Sequence, residues 1–153
     1  MSNTGKNGKL SYAYELYIAA PAAKVWARLF ERAVPLPFMF ETKLVGTLRK
    51  DTPYSYVGDG EFSVVDGRVL EVQPGLKMVM TWSAHWGEAE NNDRPSRVTY
   101  ELTTIGPKVT KLRVVHDDFD GETATYVAST ASWPRMLSSL KSGVETGTAM
   151  AVA

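Results

Sequence analysis

The hydrophobic period changes once along this chain, and that change limits the folds open to it. From Leu10 to about Asp117, apolar residues recur at every second position in short runs, whereas Trp133, Leu137, Leu140 and Val144 are spaced by four, three and four. Alternation is the pattern of a strand with one buried face, and the wider spacing is that of an amphipathic helix. Strands are predicted at Leu10–Ala20, Thr42–Leu48, Tyr54–Val57, Val64–Val72, Leu76–Trp82, Val98–Ile105 and Thr110–Asp117. Gly58-Asp59-Gly60 and Pro74-Gly75 are turn signals, and Gly106-Pro107 joins the last two strands as a hairpin. Residues 84–95 are polar and read as a loop.

Between the first two strands the pattern differs. Pro21 can open a helix, because the first helical N–H has no partner to lose, and Val25, Trp26, Leu29 and Phe30 then share a face. The segment P-L-P-F-M-F (35–40) breaks that helix and predicts a second short helix or turn. At the other end of the chain, Ser132 is read as the cap of the long helix, with Pro134 in its first turn and Gly147 ending it. Residues 120–131 receive no assignment.

One strand, two short helices, six strands and one long helix cannot make an alternating parallel fold. An α+β architecture follows. An antiparallel sheet must bury one face, and the C-terminal helix is the long amphipathic element that can cover it. A sheet curved around that helix leaves room near the short helices, where a ligand would sit.

The 153 residues suffice for one domain, placed at 10–149, after a polar segment, 1–9, read as disordered. Lysine plus arginine and aspartate plus glutamate number 17 each, so the basic excess usual in nucleic-acid binders is missing. Without cysteine there is no disulfide, thiolate metal site or cysteine nucleophile. No apolar run approaches the roughly 20 residues of a membrane span. A cytoplasmic monomer or homodimer is expected, with no cofactor called for.

The candidate ligand-binding residues are Tyr14, Phe38, Phe40, Tyr54, Phe62, Met80, Trp82, Tyr100, His116, Trp133 and Met136, with Met39 beside them. Large rings and adaptable thioethers suit an apolar wall, although the same residues would also make an ordinary core. His116 shares strand parity with Leu112 and Val114 and could meet a ligand carbonyl, or be a structural histidine bonded to a tyrosine hydroxyl or a backbone group. Glu71 could anchor a ligand or pair with a cross-strand cation. Asp117 and Asp118 read as turn residues. His85, Glu88 and Glu90 lack the paired-histidine spacing of a zinc site. No G-x-S-x-G surrounds any serine, so nothing marks a catalytic nucleophile.

Five segments in order carry a family resemblance: P-A-A-K-V-W-A-R-L-F (21–30), G-R-V-L-E-V-Q-P-G (67–75), L-K-M-V-M-T-W (76–82), L-R-V-V-H-D-D-F (112–119) and W-P-R-M-L-S-S-L-K-S-G-V-E-T-G (133–147). Together they resemble the C-terminal-type domain of the activator of heat-shock protein 90 ATPase, in the START-like (SRPBCC) superfamily. The resemblance spans Leu10 to Gly147 and implies a helix-grip fold. The co-chaperone that names the family carries a further N-terminal domain, which this chain is expected to lack. Three functions are then in view, in this order: binding of an apolar small molecule or lipid-like ligand between sheet and helix; partnership with heat-shock protein 90; and a cyclase- or hydrolase-type reaction in the cavity.

Overall fold

The computed structural model describes residues 3–4 and 10–152. Among them, nine strands form one antiparallel sheet: β1 (Asn3–Thr4), β2 (Leu10–Ile18), β3 (Pro35–Leu36), β4 (Thr42–Gly46), β5 (Pro53–Val57), β6 (Ser63–Gln73), β7 (Lys77–Ala84), β8 (Ser96–Gly106) and β9 (Val109–Asp117). Their order is β1-β2-β9-β8-β7-β6-β5-β4-β3, so β2 pairs with the last strand of the chain. Helix α1 (Ala22–Leu29) and a 3-10 turn at Pro37–Met39 follow β2; α2 (Glu88–Asn91) lies within the polar loop; α3 (Ala124–Thr146) closes the chain. The curved sheet wraps around α3, which is the expected helix-grip architecture. Asn3–Thr4 pair with Leu10–Ser11. The rest of the lead-in read as disordered lies outside the described residues.

The inner face is built from rows that cross the sheet. Met78, Tyr100, Val114 and Tyr14 are successive register partners, as are Met80, Val98, His116 and Tyr12. Strict alternation in β7, β8 and β9 therefore brings these side chains to one surface. Trp133, Leu137, Leu140 and Val144 of α3 are all buried against it, as their spacing requires.

Helix α3 is longer than its hydrophobic stripe predicts. Its cap is Thr123, whose hydroxyl accepts from Tyr126 N at 3.1 Å, and not Ser132, which lies inside the helix. Ser132 instead donates to Ala128 O at 2.8 Å. Asp93 fastens the first turn, accepting from both Thr125 N and Thr125 Oγ1 at 2.8 and 2.7 Å. Pro134 sits in the interior, where it leaves one carbonyl without its usual donor. Gly147 ends the helix at φ 83°, a left-handed conformation that glycine adopts without steric cost.

A bulge at Leu70 in β6 shifts the register between Val69 and Glu71. Val69 points inward and is fully buried. The parity that groups Glu71 with Val69 is broken there, and Glu71 meets Lys77 Nζ at 3.6 Å on the solvated side. Gly67 faces Tyr54 in register. A Cβ at position 67 would collide with the backbone oxygen of Thr81. The bare glycine lets the Tyr54 hydroxyl donate to that same oxygen at 2.5 Å.

Candidate functional site

Where the inner face of β6 and β7 meets the first half of α3, the packing is incomplete and leaves a cleft of about 290 Å³. Helix α3 contributes Ala128, Ser129, Ser132, Trp133 and Met136, one face at successive turns. Val64 and Val65 come from β6 and Trp82 from β7. The 3-10 turn supplies Met39 and Phe40, and Trp86 arrives from the loop after β7. Phe40 and Glu41 both hold positive φ, 57° and 63°. This is an uncommon conformation for a bulky side chain, and it reverses the chain immediately before β4. Phe40 and Trp86 remain 46% and 41% exposed, so the cleft opens between two half-covered rings.

None of the lining side chains ionises. Its polar members are two serines and the indole N–H groups. Ser132 is committed to Ala128 O, whereas the Ser129 hydroxyl and the Trp82 indole N–H have no partner among the described residues. The Trp133 N–H points elsewhere, donating to His116 Nδ1 at 3.0 Å.

That last bond fixes the state of His116. An indole N–H can only donate, so Nδ1 must be the unprotonated nitrogen. The proton is then on Nε2, which donates to Ser96 Oγ at 2.7 Å. Ser96 in turn donates to Trp82 O at 3.3 Å. The pair cannot act as base and nucleophile, because the imidazole gives its proton to the serine instead of taking one. Complete burial also lowers the His116 pKa to about 3, keeping it neutral. Its partners are an indole and a serine, where the sequence pointed to a tyrosine hydroxyl or a backbone group. The residue is a core rivet between β8, β9 and α3.

Of the sequence-predicted ligand residues, Phe40, Trp82, Trp133 and Met136 come together at the cleft, and Met39 joins them. Phe38, Tyr54, Met80, Tyr100 and His116 are buried in the core behind it. The Tyr100 hydroxyl approaches that of Tyr56 without forming a well-made hydrogen bond. Burial drives the pKa of both phenols upward. Tyr14 is half-buried on β2 and packs against the main core. Phe62 is 54% exposed and lines a different groove beside His85. His85 bonds Asp66 at 2.9 Å and Asn91, without Glu88 or Glu90. Burial disfavours its charged form, but the bonds to Asp66 and Asn91 outweigh this and raise its pKa. Among the described residues, no group of three or more histidines or carboxylates could hold a metal ion, and no helix is long and apolar enough to cross a membrane.

Residues 19–145 match the family described as activator of Hsp90 ATPase homolog 1-like protein. The chain belongs to this family. It shares its fold with CalU16 from Micromonospora echinospora, at TM-score 0.70 and 18% identity, over 95% of this chain and 83% of that one. The Aha1 dimer from Colwellia psychrerythraea gives TM-score 0.69 and 18% identity, over 90% and 97%. An HSP90 activator from Plasmodium falciparum gives 0.59 and 17%, over 90% and 89%. At these identities the likeness speaks to the fold. No curated protein matches the chain.

The lining residues that sequence reasoning missed are Val64, Val65, Trp86, Ala128, Ser129 and Ser132. A signal existed for Trp86: Trp82, Ala84 and Trp86 share one parity, which carries the inward face of β7 past the end of the strand. The three α3 residues had no comparable signal, since the stretch T-A-T-Y-V-A-S-T-A-S is small and β-branched and shows no clean stripe.

Proposed function

We propose that this protein is a binding module for an apolar small molecule held in the cleft between α3, the 3-10 turn and strands β6 and β7. The observation that carries the reading is a concavity of about 290 Å³ with four aromatic rings in its wall and no ionisable side chain. That volume sits just under the roughly 300 Å³ at which small-molecule sites begin. Well-packed interiors leave few voids larger than a water molecule. Titration with an environment-sensitive apolar dye should show saturable binding and quenching of tryptophan emission. Ala128→Phe places a ring into the cleft from a half-buried helix position and should weaken the dye without unfolding the protein. Absence of saturable uptake by the wild type would remove this reading.

A second reading, a co-chaperone-like partner of heat-shock protein 90, is supported by the family match and by the fold shared with the Plasmodium falciparum activator. A stable complex with the chaperone and a changed ATPase rate would favour it. The Colwellia psychrerythraea relative is a dimer, so sedimentation of the purified chain belongs with that experiment.

A further inference from the structure

Trp86 forms part of the rim of the cleft, while its neighbour His85 faces a separate open groove with Glu61, Ser63, Glu88 and Asn91. His85 N donates to Val64 O at 2.8 Å, which carries the β6–β7 pairing up to the last residue before Trp86. The imidazole then makes a bond from each nitrogen: Nε2 to Asp66 Oδ1 at 2.9 Å, and Nδ1 to Asn91 Oδ1. Asp66 is itself held in place, since its other oxygen accepts from Ser63 Oγ at 3.0 Å. Asn91 ends α2, so its bond to His85 closes a loop of chain that contains Trp86 and Gly87. Both partners present oxygens, which accept, so the ring fills both bonds only as the imidazolium, with a proton on each nitrogen. The surrounding charges suit that state. Asp66 from β6, Glu61 from the 3-10 turn Asp59–Glu61 and Glu88 from α2 are carboxylates, the Glu90 carboxylate lies beside Gly87, and among the described residues no lysine or arginine lines the groove. Burial opposes the charge, and the bonds to Asp66 and Asn91 together with the Asp66 charge hold the pKa above its ordinary value. A neutral ring keeps its one proton on Nε2, toward the carboxylate. It then turns the Nδ1 lone pair to the Asn91 oxygen, and the bond that closes the loop is lost.

We infer that His85 is a positioning residue for the cleft: bonded from both nitrogens it latches the Trp86 segment at the rim, and loss of the Nδ1 proton releases it. This inference rests on the reading of the cleft as a binding site, and it adds a regulation of that site by pH. A wall held in place before binding costs less to organise around a ligand. An apolar ligand therefore binds more tightly when the latch is protonated, and with an uncharged ligand the whole pH dependence comes from the protein. By linkage, the ligand raises the affinity of His85 for its proton by the same factor.

The test uses the full chain, ethylnaphthalene as the uncharged probe, and two readouts from about pH 6 to about pH 9, a range that spans a raised histidine pKa. By NMR, the Trp86 indole resonance, identified with Trp86→Phe, should shift with the same midpoint as the His85 ring. By calorimetric titration, the probe should bind about twofold to fivefold more tightly at the acid end, the worth of one part-exposed hydrogen bond. Saturating probe should raise the His85 midpoint by about 0.3–0.7 pH unit, the same factor seen from the other side. In Asn91→Leu, His85 still titrates against Asp66, but Trp86 should no longer follow it. In His85→Ala, the affinity should stay at the alkaline wild-type value throughout, and His116, present in every variant, acts alike on all. Circular dichroism establishes that both variants fold. A Trp86 resonance that ignores the His85 titration would mean that the Asn91 amide turns over to donate to the neutral ring, and it overturns the inference. If Trp86 still follows in Asn91→Leu, the shift is mere proximity and the latch is wrong. Saturable binding that is independent of pH also overturns the latch, while the cleft remains a binding site. If the probe does not bind saturably at any pH, the binding function fails, and the inference with it.

Discussion

Lowering the pH from 7.5 to 5 should cost this fold about 2 kcal/mol through His116 alone. In the native state the imidazole is enclosed, accepts from Trp133 at Nδ1 and donates from Nε2 to Ser96. A second proton would have to enter at Nδ1, opposing the Trp133 N–H. Burial therefore places the folded pKa at about 3, against about 6.5 for an unfolded histidine. Because the folded value is the lower one, the unfolded chain binds more protons as pH falls. The His116 contribution is fully present above about pH 6.5 and is lost progressively toward pH 3. The limiting slope is about 1.4 kcal/mol per pH unit, so pH 5, about one and a half units below the unfolded value, removes about 2 kcal/mol. His85 works in the opposite direction, since its pKa is raised in the fold. Comparison with His116→Gln cancels that term, because both proteins keep His85. Urea unfolding followed by tryptophan emission from pH 7.5 to 5 should show a steeper loss in the wild type, by about 2 kcal/mol, although the variant starts from lower stability. Parallel curves for the two proteins would refute the assigned tautomer and the burial argument together.

Leu140 is 2% exposed on the α3 stripe, so Leu140→Ala should cost about 2–5 kcal/mol in urea unfolding, and a loss under about 0.5 kcal/mol would contradict the packing. Gly67→Ala forces a methyl group against Thr81 O and should destabilise by about 1–3 kcal/mol, with the melting temperature as readout; an unchanged melt would mean that β6 and β7 lie farther apart. Arg97 makes two bonds to Asp117, 2.8 and 2.9 Å, on an exposed face, and Arg97→Ala should cost less than about 1 kcal/mol and less still at high salt. A loss of several kcal/mol there would show that the pair is far better shielded than its exposure indicates.

Elements whose faces are cleanly one-sided were legible from the chain's pattern. In β7, β8 and β9 each inward residue has an outward polar neighbour, so alternation alone identifies both strand and face, and Trp133, Leu137, Leu140 and Val144 identify the helix that the sheet covers. The order of those elements then leaves a sheet wrapped on a helix as the way to bury both. Elsewhere local pattern and packing part company, and long-range contacts set the outcome. The first turns of α3 carry small and β-branched residues with weak helix propensity, and they are helical because Thr123 caps them, because Asp93 accepts from Thr125 and because Tyr126 packs with Leu10 and Phe119. Leu36, Phe38 and Met39 fill the core from a segment whose pattern showed only a break after the first helix and a short helix or turn. The bulge at Leu70 moved Glu71 to solvent against its parity. The cleft itself is a residue of packing: which apolar side chains meet one another and which stop short depends on how a curved sheet seats a helix. Tyr100 and Trp82 carry the same strand pattern and end, one in the core and the other in the wall, because no one-dimensional period records the distance between surfaces.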